Sequence, residues 1–212
     1  NRTSLAADWN DNPFVRGLLT APVVAGNIVL VAVPDEHRVT ALDATTGKLR
    51  WNFLAGGRID TPPTVDGGLC LFGAHDGRVY CVSLADGELA WQFRAAPSDA
   101  RIPAYGQLES PWPVPGSVLV DQGVAYFAAG RHPKSDGGVH VFALQVRTGD
   151  VVWEKNVNQL ELKGWYGPLL PSTNLLIKRK VGLDFEPVDL LVKDGAFVAM
   201  SRRIRGEMIA AG

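Results

Sequence analysis

A chain of 212 residues holds enough material for one large domain or two small ones, so length leaves the fold open. With 46% hydrophobic residues, 20% charged residues and a formal charge of −1, the composition is that of an ordinary soluble globular protein and lacks the basic excess of a nucleic-acid surface. No apolar run approaches the roughly 18 residues that cross a bilayer as a helix. The opening Asn1-Arg2-Thr3-Ser4 has neither an initiating Met nor a leader pattern and reads as a trimmed or processed start; its glycosylation-type triplet is weighed as a chance match.

Turn-forming residues, 23 Gly and 14 Pro, fall between short apolar runs, which predicts many short strands. In chain order, the first extended segments are Ala21–Ala25, Ile28–Val33, Val39–Asp43 and Leu49–Leu54, separated by Gly26-Asn27, Pro34–Arg38 and Thr45–Gly47. Alternation of Val39, Ala41 and Asp43 against Thr40 and Leu42 suits a strand packed between neighbouring sheets.

The unit then repeats. Residues 41–51 read ALDATTGKLRW, residues 81–91 read CVSLADGELAW and residues 143–153 read ALQVRTGDVVW. The first two copies align at an offset of 40 without a gap, which sets Pro22 on Pro62, Val39 on Val79, Gly47 on Gly87 and Trp51 on Trp91. The third copy lies 102 residues after the first and matches Ala41, Gly47 and Trp51 with Ala143, Gly149 and Trp153. Gly47 permits a turn that residues bearing a β-carbon resist, and each Trp supplies a flat face able to cover the next unit's turn. Four antiparallel strands per roughly 40 residues is one blade of a β-propeller, so we expect an all-β chain of about three and a half blades. The expected units are about 18–57, 58–108 and 109–158, with an incomplete blade at 159–212.

Cys70 and Cys81 lie on the second unit's central hairpin. A turn centred between His75 and Asp76 sets them opposite each other, which opens a cross-strand disulfide; two small buried thiols are the alternative. The connection Arg94–Pro115 is the longest between units and carries Arg101, Tyr105, Gln107, Glu109 and Trp112. The third unit carries 13 extra residues, assigned to an extended first hairpin, Trp112–Gln122, and a longer second loop, Gly130–Gly138. A cleft between the long connection and Arg131, His132 and Lys134 would suit a polar ligand, a peptide or a glycan, with Trp112 or Tyr105 as a stacking platform. The alternative is that these aromatics plug a gap between blades while the charges pair.

Past Asn158 the repeat fades. Residues 188–201 read as a first hairpin with Lys193-Asp194-Gly195 as its turn, and no docking Trp follows. Trp165, Tyr166 and the basic run Lys178-Arg179-Lys180 precede it, the basic run read as a charged strand edge.

The spacing of Ala41, Gly47 and Trp51, repeated at Gly87 and Trp91 and at Ala143, Gly149 and Trp153, resembles the tryptophan-docking motif of quinoprotein-like, or pyrroloquinoline-quinone-like, repeat propellers. The likeness covers about residues 18–158 and is loosest at Cys81, where Ala is usual. That family includes quinone-dependent alcohol and glucose dehydrogenases and a non-catalytic outer-membrane assembly lipoprotein. The resemblance implies an exported location, periplasmic or secreted. Its catalytic members use a central Asp base, calcium and, in several, a disulfide of adjacent cysteines; none of these is placed here, and Asp43, inside the repeat motif, reads as structural. His37, His75, His132 and His140 are scattered over turns and strand ends and read as solvated, with no metal set among them. We therefore expect no catalytic residue and no cofactor, and a binding or scaffold module contacting protein or carbohydrate, closed by further blades or a partner chain. Pyrroloquinoline quinone with calcium, as part of an oxidoreductase, is the alternative, and an accessory domain of a larger enzyme is another.

Overall fold

The computed structural model describes residues 19–104, 106–132, 135–158, 191–194, 197–201 and 208–211. Three four-stranded antiparallel meanders make up its body. The first contains β1 (Val23–Ala25), β2 (Ile28–Val33), β3 (Arg38–Asp43) and β4 (Leu49–Leu54); the second contains β5 (Thr64–Asp66), β6 (Leu69–Ala74), β7 (Arg78–Ser83) and β8 (Leu89–Arg94). A two-stranded hairpin, β9 (Ile102–Ala104) with β10 (Gln107–Glu109), lies in the long connection. The third meander contains β11 (Leu119–Asp121), β12 (Val124–Ala129), β13 (Val139–Gln145) and β14 (Val151–Val157), and a three-stranded sheet of β15 (Leu191–Asp194), β16 (Phe197–Ser201) and β17 (Met208–Ala211) follows.

The sheets stack face to face, as propeller blades do. Leu30, Val39 and Ala41 of the first sheet close on Phe72 and Val82 of the second. The opposite face of the second sheet, Leu71, Val79 and Cys81, closes on Phe127, Phe142 and Leu144 of the third. Val139, Val141 and Val157 then meet Leu191 and Val198 of the three-stranded sheet. Burial on both faces explains why β6 and β7 read as continuous apolar runs rather than alternating ones. Aromatic residues repeat the contact: Phe53 meets Phe72 edge-on at 5.6 Å, and Phe93 meets Phe142 edge-on at 5.1 Å.

Tryptophan docking follows the same step. Trp51 stands opposite Ala41, and its indole N–H donates to the Leu84 carbonyl at 2.9 Å. Trp91 stands opposite Cys81 and donates to the Val146 carbonyl at 2.8 Å. The Ala-to-Cys exchange is tolerated because a thiol is still small enough to face the ring.

Because a meander reverses at every strand, the β1–β2 and β3–β4 turns share one end of a sheet. The β2–β3 joint and the connection to the next sheet share the other, here called the connection end.

Four expectations are corrected. β3 and β4 map on β7 and β8 at an offset of 40, whereas β1 and β2 map on β5 and β6 at 41, because the joint Pro34–His37 is one residue longer than His75–Gly77. Pro22 therefore corresponds to Pro63, not Pro62. The three-residue β6–β7 turn is centred on Asp76 rather than between His75 and Asp76, so that Cys70 pairs with Val82 and Cys81 with Leu71. A one-residue shift sends side chains to opposite faces; Cys70 lies in the core against the first sheet, Cys81 in the core against the third, and both are free thiols. The first hairpin of the third sheet is not extended, since β11 and β12 match β1 and β2 in length; the added residues lie before β11, in 95–118, and in the loop 130–138. Lys193 and Asp194 are strand residues rather than a turn, with Asp194 paired to Phe197 and Lys193 bonded to Asp121. Asn1-Arg2-Thr3, Trp165, Tyr166, Lys178-Arg179-Lys180 and Gly195 lie outside the described residues.

Candidate functional site

Charged side chains collect inside the connection end of the second sheet. Gly56 and Gly57 let the first connection pass close to the β6–β7 turn, where a β-carbon on Gly57 would come within 2.4 Å of the Asp76 amide nitrogen. That passage turns Arg58 and Asp60 inward. The turn itself supplies His75, and the second connection, 95–118, supplies Glu109.

The four side chains form one ionic chain. Arg58 grips Asp60 through two hydrogen bonds of 2.8 Å. His75 sets Nε2 2.9 Å from Asp60 Oδ2 and Nδ1 2.9 Å from Glu109 Oε2. All four side chains are at most 3% exposed. A carboxylate 2.9 Å from each ring nitrogen stabilises the imidazolium form of His75 by charge, although neither nitrogen is aligned for a full hydrogen bond, and in that form the four charges sum to zero. Burial pulls the His75 pKa down, but Asp60 and Glu109 more than reverse this and raise it to about 9. For Asp60, burial pushes up while His75 and Arg58 pull down, leaving it at about 2. Burial alone would lower Arg58, yet its pairing with Asp60 leaves it above its ordinary value.

Beside this chain, Asp76 accepts the Tyr80 hydroxyl at 2.5 Å, and Tyr80 in turn accepts the Gly56 amide. Groups this deeply enclosed hold elements together rather than meet a substrate. The element they hold is the connection 95–118, a strap laid over the second sheet. Ser110 N–H donates to the His75 carbonyl at 2.7 Å, Val114 N–H to the Ala74 carbonyl at 3.0 Å, and Ala95 N–H to the Gly77 carbonyl at 2.9 Å. His37 Nε2 donates to Gln107 Oε1 at 2.8 Å, tying the strap's hairpin back to the first sheet. At its far end Trp112 donates its indole N–H to the Asp136 carbonyl at 2.5 Å.

The residues expected to line a cleft thus divide. Trp112 and Arg131 do converge, both on Asp136, with Arg131 3.0 Å from its carboxylate. His132 lies in the same loop, its carbonyl accepting the Ser135 amide. Gln107 and Glu109 turn the other way, toward His37 and His75, and Arg101 faces solvent. Tyr105 and Lys134 lie outside the described residues. The burial of His75 overturns its expected place as a solvated loop histidine, and Arg58 and Asp60 are members of the site beyond those expected from the sequence. The usable signal was a pair of opposite charges, Arg58 and Asp60, in a short connection where Gly-Gly precedes and Pro-Pro follows. At the opposite end, Asp43 accepts Thr45 N–H, Thr46 N–H and Arg50, which holds its carboxyl well below the usual range and the turn in shape.

A family model described as outer membrane protein assembly factor BamB matches residues 4–163. The chain belongs to this PQQ-like repeat family. It is 26% identical over 134 residues to the outer membrane protein assembly factor BamB of Moranella endobia (strain PCIT), a match covering 63% of this chain and 30% of that one. It is also 30% identical over 149 residues to the dehydrogenase subunit of the quinone alcohol dehydrogenase of Acetobacter aceti, covering 65% and 19%. The BamB crystal structure from Moraxella catarrhalis superposes with a TM-score of 0.54 at 16% identity, covering 88% of this chain and 43% of that one, a likeness of fold. The chain spans less than half the length of these relatives. Its repeat is thus the one shared by assembly factors and by dehydrogenases, and identity alone does not separate the two.

Proposed function

We propose that this chain forms part of a non-catalytic β-propeller platform that binds protein during outer membrane assembly on the periplasmic side, with blades at about 18–57, 58–108 and 109–158. The observation that carries this reading is the strap. Within it Glu109 is turned inward and locked, while the hairpin leaves Leu108 65% exposed and Arg101, next to the hairpin in sequence, is also exposed. A segment held from beneath and apolar on top loses little freedom on binding, which favours association. Protein is favoured over carbohydrate because Leu108 offers an apolar contact and the Trp112 N–H is already engaged by Asp136.

The test is a photo-crosslinking residue at position 108 in the protein as the cell makes it, compared with one at Thr46, at the opposite end of the sheets. A discrete adduct with an outer-membrane assembly component from position 108 alone, weakened by Arg101→Glu, supports the platform. The relatives also include quinone dehydrogenases, so calorimetry with pyrroloquinoline quinone and calcium accompanies it. Saturable binding with dye-linked turnover overturns the platform in favour of an oxidoreductase.

A further inference from the structure

We propose that the strap 95–118 is a proton-held latch: its hairpin stays seated on the β6–β7 turn while His75 carries a proton and lifts when that proton is lost. This goes beyond the platform reading and does not depend on what the strap contacts.

The geometry rests on which element owns each charge. Arg58 and Asp60 belong to the first connection and His75 to the turn; Glu109 alone comes from the strap. The other charged groups nearby are Asp76, next in the turn and bound by Tyr80 and by Arg78 at 3.6 Å, and Asp35, whose field reaches Arg58. With His75 protonated, seating the strap completes a neutral set of Arg58, Asp60, His75 and Glu109. With His75 neutral, Arg58 and Asp60 already balance, and a seated Glu109 is a buried surplus charge. Such a charge is costly, and the strap relieves it by returning Glu109 to water. Glu109 is also incompletely held when seated, since its Oε1 is buried without a hydrogen-bond partner.

The direction follows from linkage. Seating adds a carboxylate beside His75 and so raises its pKa, to about 9 in the seated state. Seating is therefore strongest below the pKa of the lifted state. It weakens about tenfold per pH unit above that, until pH passes the seated value. Lifting the hairpin also breaks the bond from His37 to Gln107, while Trp112 on Asp136, Val114 on Ala74 and Ala95 on Gly77 hold the rest of the strap and confine the opening to the hairpin and the residues around Ser110.

Hydrogen exchange on the protein as the cell makes it, corrected for the intrinsic pH dependence of amide exchange, tests this directly. The Ser110 amide, bonded to the His75 carbonyl, is expected to exchange about tenfold faster at pH 10 than at pH 7.5, while amides of β12 and β13 keep their protection. In Glu109→Gln the step at Ser110 disappears, because a neutral side chain removes the surplus charge. A flat Ser110 profile in the unaltered protein overturns the latch. So does an equal step in β12 and β13, or a step that survives Glu109→Gln.

Discussion

Trp51 and Trp153 occupy the same place in their sheets and meet different fates. Each stands opposite an alanine, Ala41 or Ala143, beside a bulge in its own fourth strand, where Arg50 or Val152 is the extra residue. Trp51 is 7% exposed and lies on the turn of the next sheet, where a β-carbon on Gly87 would come within 2.7 Å of its ring. Trp153 is 38% exposed and meets Tyr126 of its own sheet. The glycines mirror this: Gly87 and Gly149 are each covered by an indole, whereas a β-carbon on Gly47 would meet nothing within 4 Å. The eleven-residue motif therefore sets strand, bulge and turn, and the neighbouring sheet decides whether the indole contributes to stability.

The sharpest way to break this comparison is to remove the rings. Trp51→Ala is expected to cost about 3–5 kcal/mol, the range for deleting a buried aromatic, with its N–H bond to Leu84 lost as well. Trp153→Ala is expected to cost no more than about 1 kcal/mol. Urea unfolding of both variants checks this, and equal losses would show that the docking site of Trp153 is filled in solution.

The glycines sharpen it at smaller scale. Both Gly47 and Gly87 hold positive φ, at 68° and 76°, so alanine at either pays a left-handed backbone cost of about 1–2 kcal/mol. Gly87→Ala adds a clash with the indole of Trp51 and is expected to lose about 1–3 kcal/mol more. Midpoint shifts for the two variants, read against each other, isolate that contact from the backbone term.

Much of this was legible in the sequence, and the reasons differ by feature. The Gly and Trp spacing showed the blades because both residues carry constraints that few others satisfy. The single-residue difference between the two central joints was hidden by the doublet Pro62-Pro63, since Pro22 matches either one equally well. Glu109 stands out in the sequence by its place in the long connection, but its neighbours do not. Its partners, Arg58, Asp60 and His75, come from two other segments, and no local pattern links them; only the stacking of sheets does.

That buried chain gives the connection end a pH dependence on the alkaline side as well as the acid side, whereas Asp43 at the glycine-turn end acts on the acid side alone. His75, raised from 6.5 to about 9, contributes stability fully below pH 6.5 and loses it as pH rises through about 9. Asp60, lowered from 3.8 to about 2, contributes fully above pH 3.8 and loses it as pH falls through about 2. Urea midpoints are thus expected to be highest between about pH 4 and 6.5 and to decline on both sides. In Glu109→Gln the alkaline decline becomes shallower, because one of the two carboxylates that raise His75 is gone.

The smallest effect concerns the cysteines, and it bears on the register that underlies the comparison of sheets. With Cys70 facing the first sheet and Cys81 the third, a mild oxidant applied to the folded protein leaves both thiols titratable after denaturation. Burial raises both thiol pKa values to about 12, which removes the reactive thiolate at neutral pH. Leu71→Cys, by contrast, places a thiol directly opposite Cys81 on the same face, and refolding that variant from denaturant under oxidising conditions, where the thiols are exposed, is expected to consume two thiols per chain. A bond between Cys70 and Cys81 in the unaltered protein would require the β6–β7 turn to be centred half a residue earlier. That register would swap the two faces of β6 relative to β7 and detach Phe72 from Tyr80, which stack at 5.6 Å in the core against the first sheet.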